Sequence, residues 1–226
     1  MLSLLAILPP LVTFFVVSGA SEAAALRRFH DVSMSLLFIL VLPIVCLLFG
    51  AAALGDERRD ATLTVLVLRP IRREGIVGAK LAAAWLASTA IVGSSALATG
   101  VVLGVSGGTW EVLVPLVAGI ALSALAYVAV FLILGHTTTR AVLIGLVYVF
   151  LWENAISFAV DGLAVMSLFR IGVSGYAALV DAAPRQLADV LGSLTPGMLG
   201  AAAKAGGLAV IATLSGGWLL RRRDLT

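Results

Sequence analysis

A chain of 226 residues that is 61 % hydrophobic, with a mean hydropathy of +1.13, is too apolar for a soluble domain, where about 45–50 % apolar residues is usual. A net charge of +3 gives no footing for nucleic-acid binding, and the pI near 9.5 follows from where the basic residues stand along the chain. The single cysteine, Cys46, excludes an intrachain disulfide and CxxC-type metal or redox sites, and reads as a small buried hydrophobe. The composition is that of an all-α integral membrane protein.

Six apolar segments follow in chain order, at residues 2–17, 34–54, 81–104, 112–135, 141–160 and 206–220. Lipid offers backbone groups no water to bond, so each segment is expected to be a helix. The barrel-type alternation of polar and apolar residues is not seen. The first segment has no basic flank and contains Pro9 and Pro10. A secretory signal is its competing reading, because VVSGASEA supplies small residues near a cleavage point; the missing basic n-region favours an uncleaved span.

Lys and Arg in the connections set the orientation. With the C-terminus in the cytoplasm, that side holds Arg58, Arg59, Arg69, Arg72, Arg73, Lys80, Arg140, Arg221, Arg222 and Arg223, and the outside holds Arg27, Arg28, Arg170, Arg185 and Lys204. This ten-to-five bias predicts six spans with both termini cytoplasmic. Residues 161–205 then form an extracytoplasmic loop, whose leucines at helical spacing predict short helices lying on the membrane face, with a re-entrant hairpin as the alternative.

The connection at residues 55–80, GDERRDATLTVLVLRPIRREGIVGAK, is the most charged part of the chain. Residues 57–68 can form a helix with Leu63, Leu66 and Val67 on one side, and Pro70 stops it. Composition alone makes this a basic anchor; residue order says more. The run from Glu57 through Thr62, Leu63, Leu66, Pro70, Ile71 and Arg73 to Ile76, Val77 and Lys80 resembles the hallmark of ABC-2 type transporter permeases. Arg72 and Ala61 depart from that pattern, standing where a small polar residue and Gly are usual. The layout of six spans, the long external connection, YVFLWENAI and the basic tail are similar too.

The resemblance implies an ABC-2 (type V-like) fold, a single permease domain over 1–226 and location in the bacterial plasma membrane. It also implies export driven by a separate ATPase subunit that binds ATP and Mg, and a second permease copy. Residues 55–80 would be the ATPase-coupling segment, with Glu57, Arg58, Thr62, Leu63, Leu66, Pro70, Ile71, Arg72, Arg73 and Lys80 as its site residues. Consistent with this, the chain has no GxxxxGK[ST] phosphate loop, and no catalytic, cofactor or metal site is expected in it. Such permeases usually begin with a cytoplasmic amphipathic helix; either the start here is truncated or this member engages its ATPase through the coupling segment alone. A haem-exporter B-type permease and a non-transport membrane scaffold or intramembrane enzyme are the alternatives, and the neighbouring gene separates them.

Glu153 is the acidic residue clearly within an apolar run. With Asn154 it stands either on the substrate path or subunit seam, or in the solvated outer interface; Asp161, eight residues on, favours the interface. His30 is assigned to the first external connection and His136 to a cytoplasmic turn, on opposite faces and so no metal pair. GVSG at 172–175 matches the GxSG string of rhomboid proteases, but no His follows Ser174 to take its proton, so the match reads as chance. Small residues at 93–104 and 119–126 predict close helix packing inside the bundle.

Overall fold

A computed structural model describes residues 2–59, 72–156, 167–180 and 197–223. The described residues are helical apart from short turns, with no strand among them. In chain order, α1 is Leu2–Val17 and α2 is Glu22–Val32, which runs through a π-helical stretch, Ser33–Val41, into α3, Leu42–Arg59. Then come α4 (Arg73–Val105), α5 (Leu113–Thr137) and α6 (Ala141–Val147), the last continuing as a second π stretch, Tyr148–Ile156. α7 is Leu168–Ala177 and α8 is Met198–Arg223.

Among the described residues four helices are long and apolar enough to cross a bilayer: Glu22–Gly55, Arg73–Val105, Leu113–Thr137 and Met198–Arg221. Leu4–Val17 and Ala141–Glu153 are apolar but shorter than the roughly 20 residues a span needs. The long helices start earlier than hydropathy predicts. Apolar residues begin near 34, yet the helix begins at Glu22, because EAAALRRFHDV is rich in helix formers while its charges hide it from a search for apolar runs. α4 likewise begins at Arg73 rather than near 81: Arg72 is extended at the N-cap, and Glu74 places a carboxylate in the first turn, where the helix dipole favours it.

α5 is the centre of the bundle, packed against α3, α4, α7 and α8. Small residues let the backbones come close. A Cβ on Gly135 would lie 2.2 Å from the Ala51 carbonyl oxygen, and one on Gly55 3.3 Å from that of Gly135. On the other side of α5, a Cβ on Gly119 would stand 2.7 Å from the Gly172 carbonyl oxygen and one on Gly172 2.5 Å from Ser123 Cβ. The buried face of α4, which includes Gly93, Ser95, Ala96, Thr99 and Gly100, lies where the small-residue pattern put it.

α1 shows how a proline is accommodated inside an apolar helix. Pro10 has no N–H, which deprives the Ala6 carbonyl of its helical donor. Ser95 of α4 donates its hydroxyl to that carbonyl at 2.6 Å, and the buried Thr13 hydroxyl donates to Pro9 O at 2.8 Å. One polar bond thus repairs the helix and ties it to its neighbour.

Candidate functional site

One end of the bundle holds Arg72, Arg73, Lys80, Arg140 and Arg221. Gly55 at the end of α3 abuts Gly135 near the end of α5, and Arg73 at the start of α4 donates from Nη1 to Leu220 O of α8 at 3.4 Å. Arg140, between α5 and α6, follows on the same end. Of the coupling-segment residues named from sequence, Arg72 is exposed at the N-cap of α4, and Arg73 and Lys80 are partly buried along its first two turns. Ile76 and Val77 are buried, so that pair of the motif packs inward while Arg72 faces out. Glu57 and Arg58 belong to the last turn of α3. Thr62, Leu63, Leu66, Pro70 and Ile71, and with them most of the expected helix over 57–68, lie outside the described residues.

Glu153 departs from the solvated position favoured by its sequence neighbourhood. It is 4 % exposed, and its carboxylate receives hydrogen bonds from Tyr148 Oη (3.0 Å), Ser167 Oγ (2.6 Å) and Leu168 N (2.8 Å). The π register explains the first of these. Its i→i+5 bonding pattern stacks residues five apart, which brings Tyr148 over Glu153. The other two come from the N-terminus of α7. Ser167 is its N-cap and accepts from Arg170 N at 3.3 Å while donating to Glu153.

The depth of this site follows from its neighbours. The Ser123 hydroxyl, midway along α5, donates to Leu168 O at 3.4 Å. From there α7 runs with Leu168, Phe169, Ile171, Val173 and Tyr176 all buried. The helix is therefore embedded in the bundle and does not lie on a membrane face. Asn154 is in the same π stretch as Glu153; Asp161 is outside the described residues.

His30 is not in a loop: it is 2 % exposed within α2. Its Nδ1 pairs with Leu26 O at 2.7 Å, and Tyr176 Oη pairs with its Nε2 at 2.7 Å. A carbonyl only accepts, so Nδ1 carries the proton, and in the neutral ring Tyr176 donates to Nε2. Tyr176→Phe removes that donor and is expected to cost about 1–3 kcal/mol, read as a lowered unfolding midpoint of the detergent-solubilised protein. An unchanged midpoint would mean that the α2–α7 bond does not hold the bundle together. His136 also differs from its assignment to a turn: it is buried in the last turn of α5.

The GVSG string has a packing role. Gly172 and Gly175 face α5, where Cβ atoms would meet Ser123 and the Leu122 side chain at 2.5 and 2.7 Å, and Ser174 is buried. Sequence reading missed Ser167 and Tyr148 as partners of Glu153, and Glu74 with Arg221, which form an ion pair. Ser167 ahead of an apolar run, an N-cap residue type at a helix start, was the available signal for the first. Among the described residues no group of three or more His, Cys, Asp or Glu side chains could hold a metal ion.

A helical bundle with membrane-length helices, a basic end and a buried carboxylate defines a multi-pass membrane protein. The family model for ABC-2 family transporter proteins matches residues 1–170, and the chain belongs to that family. No curated protein and no solved structure matches it. The matched region contains all of residues 57–80 and ends within α7, and α8 lies beyond it.

Proposed function

We propose that this chain is the permease subunit of an ABC exporter in a bacterial plasma membrane, working as one of two permease copies with a separate ATPase. Family membership over residues 1–170 carries the reading. The basic end supports it: Arg72, Arg73, Lys80, Arg140 and Arg221 fall at the end that the positive-inside rule assigns to the cytoplasm. The coupling segment, residues 57–80, seats in a groove of the ATPase, and nucleotide-driven closure there rocks the helices. Arg72 presents charge to the partner while Ile76 and Val77 anchor the segment's end in the bundle.

The test is copurification of the ATPase encoded beside this chain. Charge reversal at both positions, Arg72→Glu with Arg73→Glu, is expected to lose the ATPase from a permease that still inserts and purifies. Retention of the ATPase at the wild-type ratio by that double variant would sink the reading.

A further inference from the structure

We propose that the first turns of α4 and the last turns of α8 move as one rigid unit, so that the C-terminal helix is what the coupling segment drives. The inference rests on the seating of that segment on an ATPase. Its evidence is separate and lies in how the two helices meet.

They run antiparallel, with successive layers in register. Arg73 reaches Leu220 O at 3.4 Å, one of the terminal carbonyls a helix leaves without internal donors. In the next layer Glu74 forms an ion pair with Arg221 and lies flush on Gly217, where a Cβ would stand 2.8 Å from Glu74 Cγ and 3.2 Å from its backbone N. Then Val77 fills the space over Gly216, its Cγ1 lying 2.9 Å from where a Cβ would be, and a Cβ on Gly78 would lie 3.6 Å from Thr213 Cγ2.

The ion pair alone is a weak tie, because the Arg221 side chain is 62 % exposed. The Gly216-Gly217 pair changes the weighting. Two adjacent glycines in an apolar helix let the other helix approach to backbone distance, the means by which helices associate in lipid. Such a close-packed seam has discrete arrangements and does not slide smoothly. Beyond this seam α8 packs along α5 and α7, with Ala201 and Ala205 buried, although only 17 % of its apolar stretch is buried. The layered contact with α4 is where movement of the coupling segment's end passes directly to α8.

The test uses the whole permease–ATPase complex in lipid nanodiscs. Glu74→Cys and Gly217→Cys are introduced together with Cys46→Ala, which removes the only native thiol. Oxidative cross-linking is then compared without nucleotide and in the ATP–vanadate-trapped state. The expected result is equal cross-linking in both states, with ATP hydrolysis by the cross-linked complex preserved. A several-fold fall in cross-linking on trapping, or loss of hydrolysis on cross-linking, would overturn the unit.

Charge reversal gives a second readout that does not depend on tolerating a side chain at Gly217. Glu74→Arg is expected to lower permease-stimulated hydrolysis several-fold while the ATPase stays bound, and Glu74→Arg with Arg221→Glu to restore it. No rescue by the exchange counts against the unit. Loss of the ATPase from the unaltered permease would instead count against the seating of residues 57–80, so the two failures differ.

Discussion

Replacing Gly135 with alanine is expected to lower stability by about 3 kcal/mol, the upper part of the range for forcing one group into a close-packed interior. The added Cβ would lie 2.2 Å from the Ala51 carbonyl oxygen and 2.8 Å from its Cα. Both atoms are backbone, so no rotamer change relieves the clash, and α3 and α5 must separate. Gly145→Ala serves as the graded control. It also meets an atom at 2.2 Å, but that atom is Leu47 Cδ1, the end of a side chain. Leu47 can turn at the expense of some packing, and about 1 kcal/mol is expected. Gly207→Ala has nothing within 4 Å, and gains up to about 1 kcal/mol of helix propensity. Unfolding midpoints in detergent, followed by the monodisperse fraction after heating, should rank the variants with Gly135→Ala lowest and Gly207→Ala at or above the unaltered protein. Equal losses at Gly135 and Gly207 would show that backbone approach is not what the glycines provide.

The parts of this architecture that sequence could show are those written locally. Apolar runs announce helices because a bilayer permits little else. Small residues at 119–126 announced a close contact, and Gly119 with Ser123 makes one with α7. Which helix a glycine faces is not local information: nothing in GHTTTR says that Gly135 meets Ala51. Helix starts were displaced for a different reason, since Glu22, Arg27 and Arg28 lower the hydropathy of a stretch that is nonetheless helical. The motif at residues 57–80 was legible as a family pattern. The division of labour within it, with Val77 against Gly216 and Glu74 against Arg221, required a helix some 140 residues later.

The same distinction accounts for Glu153. Its nearness in sequence to Asp161 suggested the interface, but depth is set by what the chain brings back. Ser167 and Leu168 return 14 and 15 residues later to supply two donors, and a π register supplies the third from Tyr148. π stretches have no simple composition signature, and YVFLWENAI reads equally well as an α-helix.

Glu153→Ala tests that placement through the sign of its effect. A carboxylate in lipid or at the bilayer centre costs about 2.5–3.5 kcal/mol on insertion scales, so removing an unpaired one would leave stability unchanged or improved. Here removal strands the Tyr148 and Ser167 hydroxyls and the Leu168 N–H in a buried site, each donor worth about 1–3 kcal/mol when left unmade. Partial relaxation lowers the sum, and a net loss of about 3–5 kcal/mol is expected. Glu153→Gln keeps one acceptor oxygen and should lose about half as much. Ser167→Ala removes one bond to the carboxylate and the N-cap bond to Arg170 N, and should lose about 1–2 kcal/mol. Unfolding midpoints in one detergent should therefore fall in the order Ser167→Ala, Glu153→Gln, Glu153→Ala. A midpoint for Glu153→Ala at or above that of the unaltered protein would return the carboxylate to the solvated interface and release α7 from the bundle.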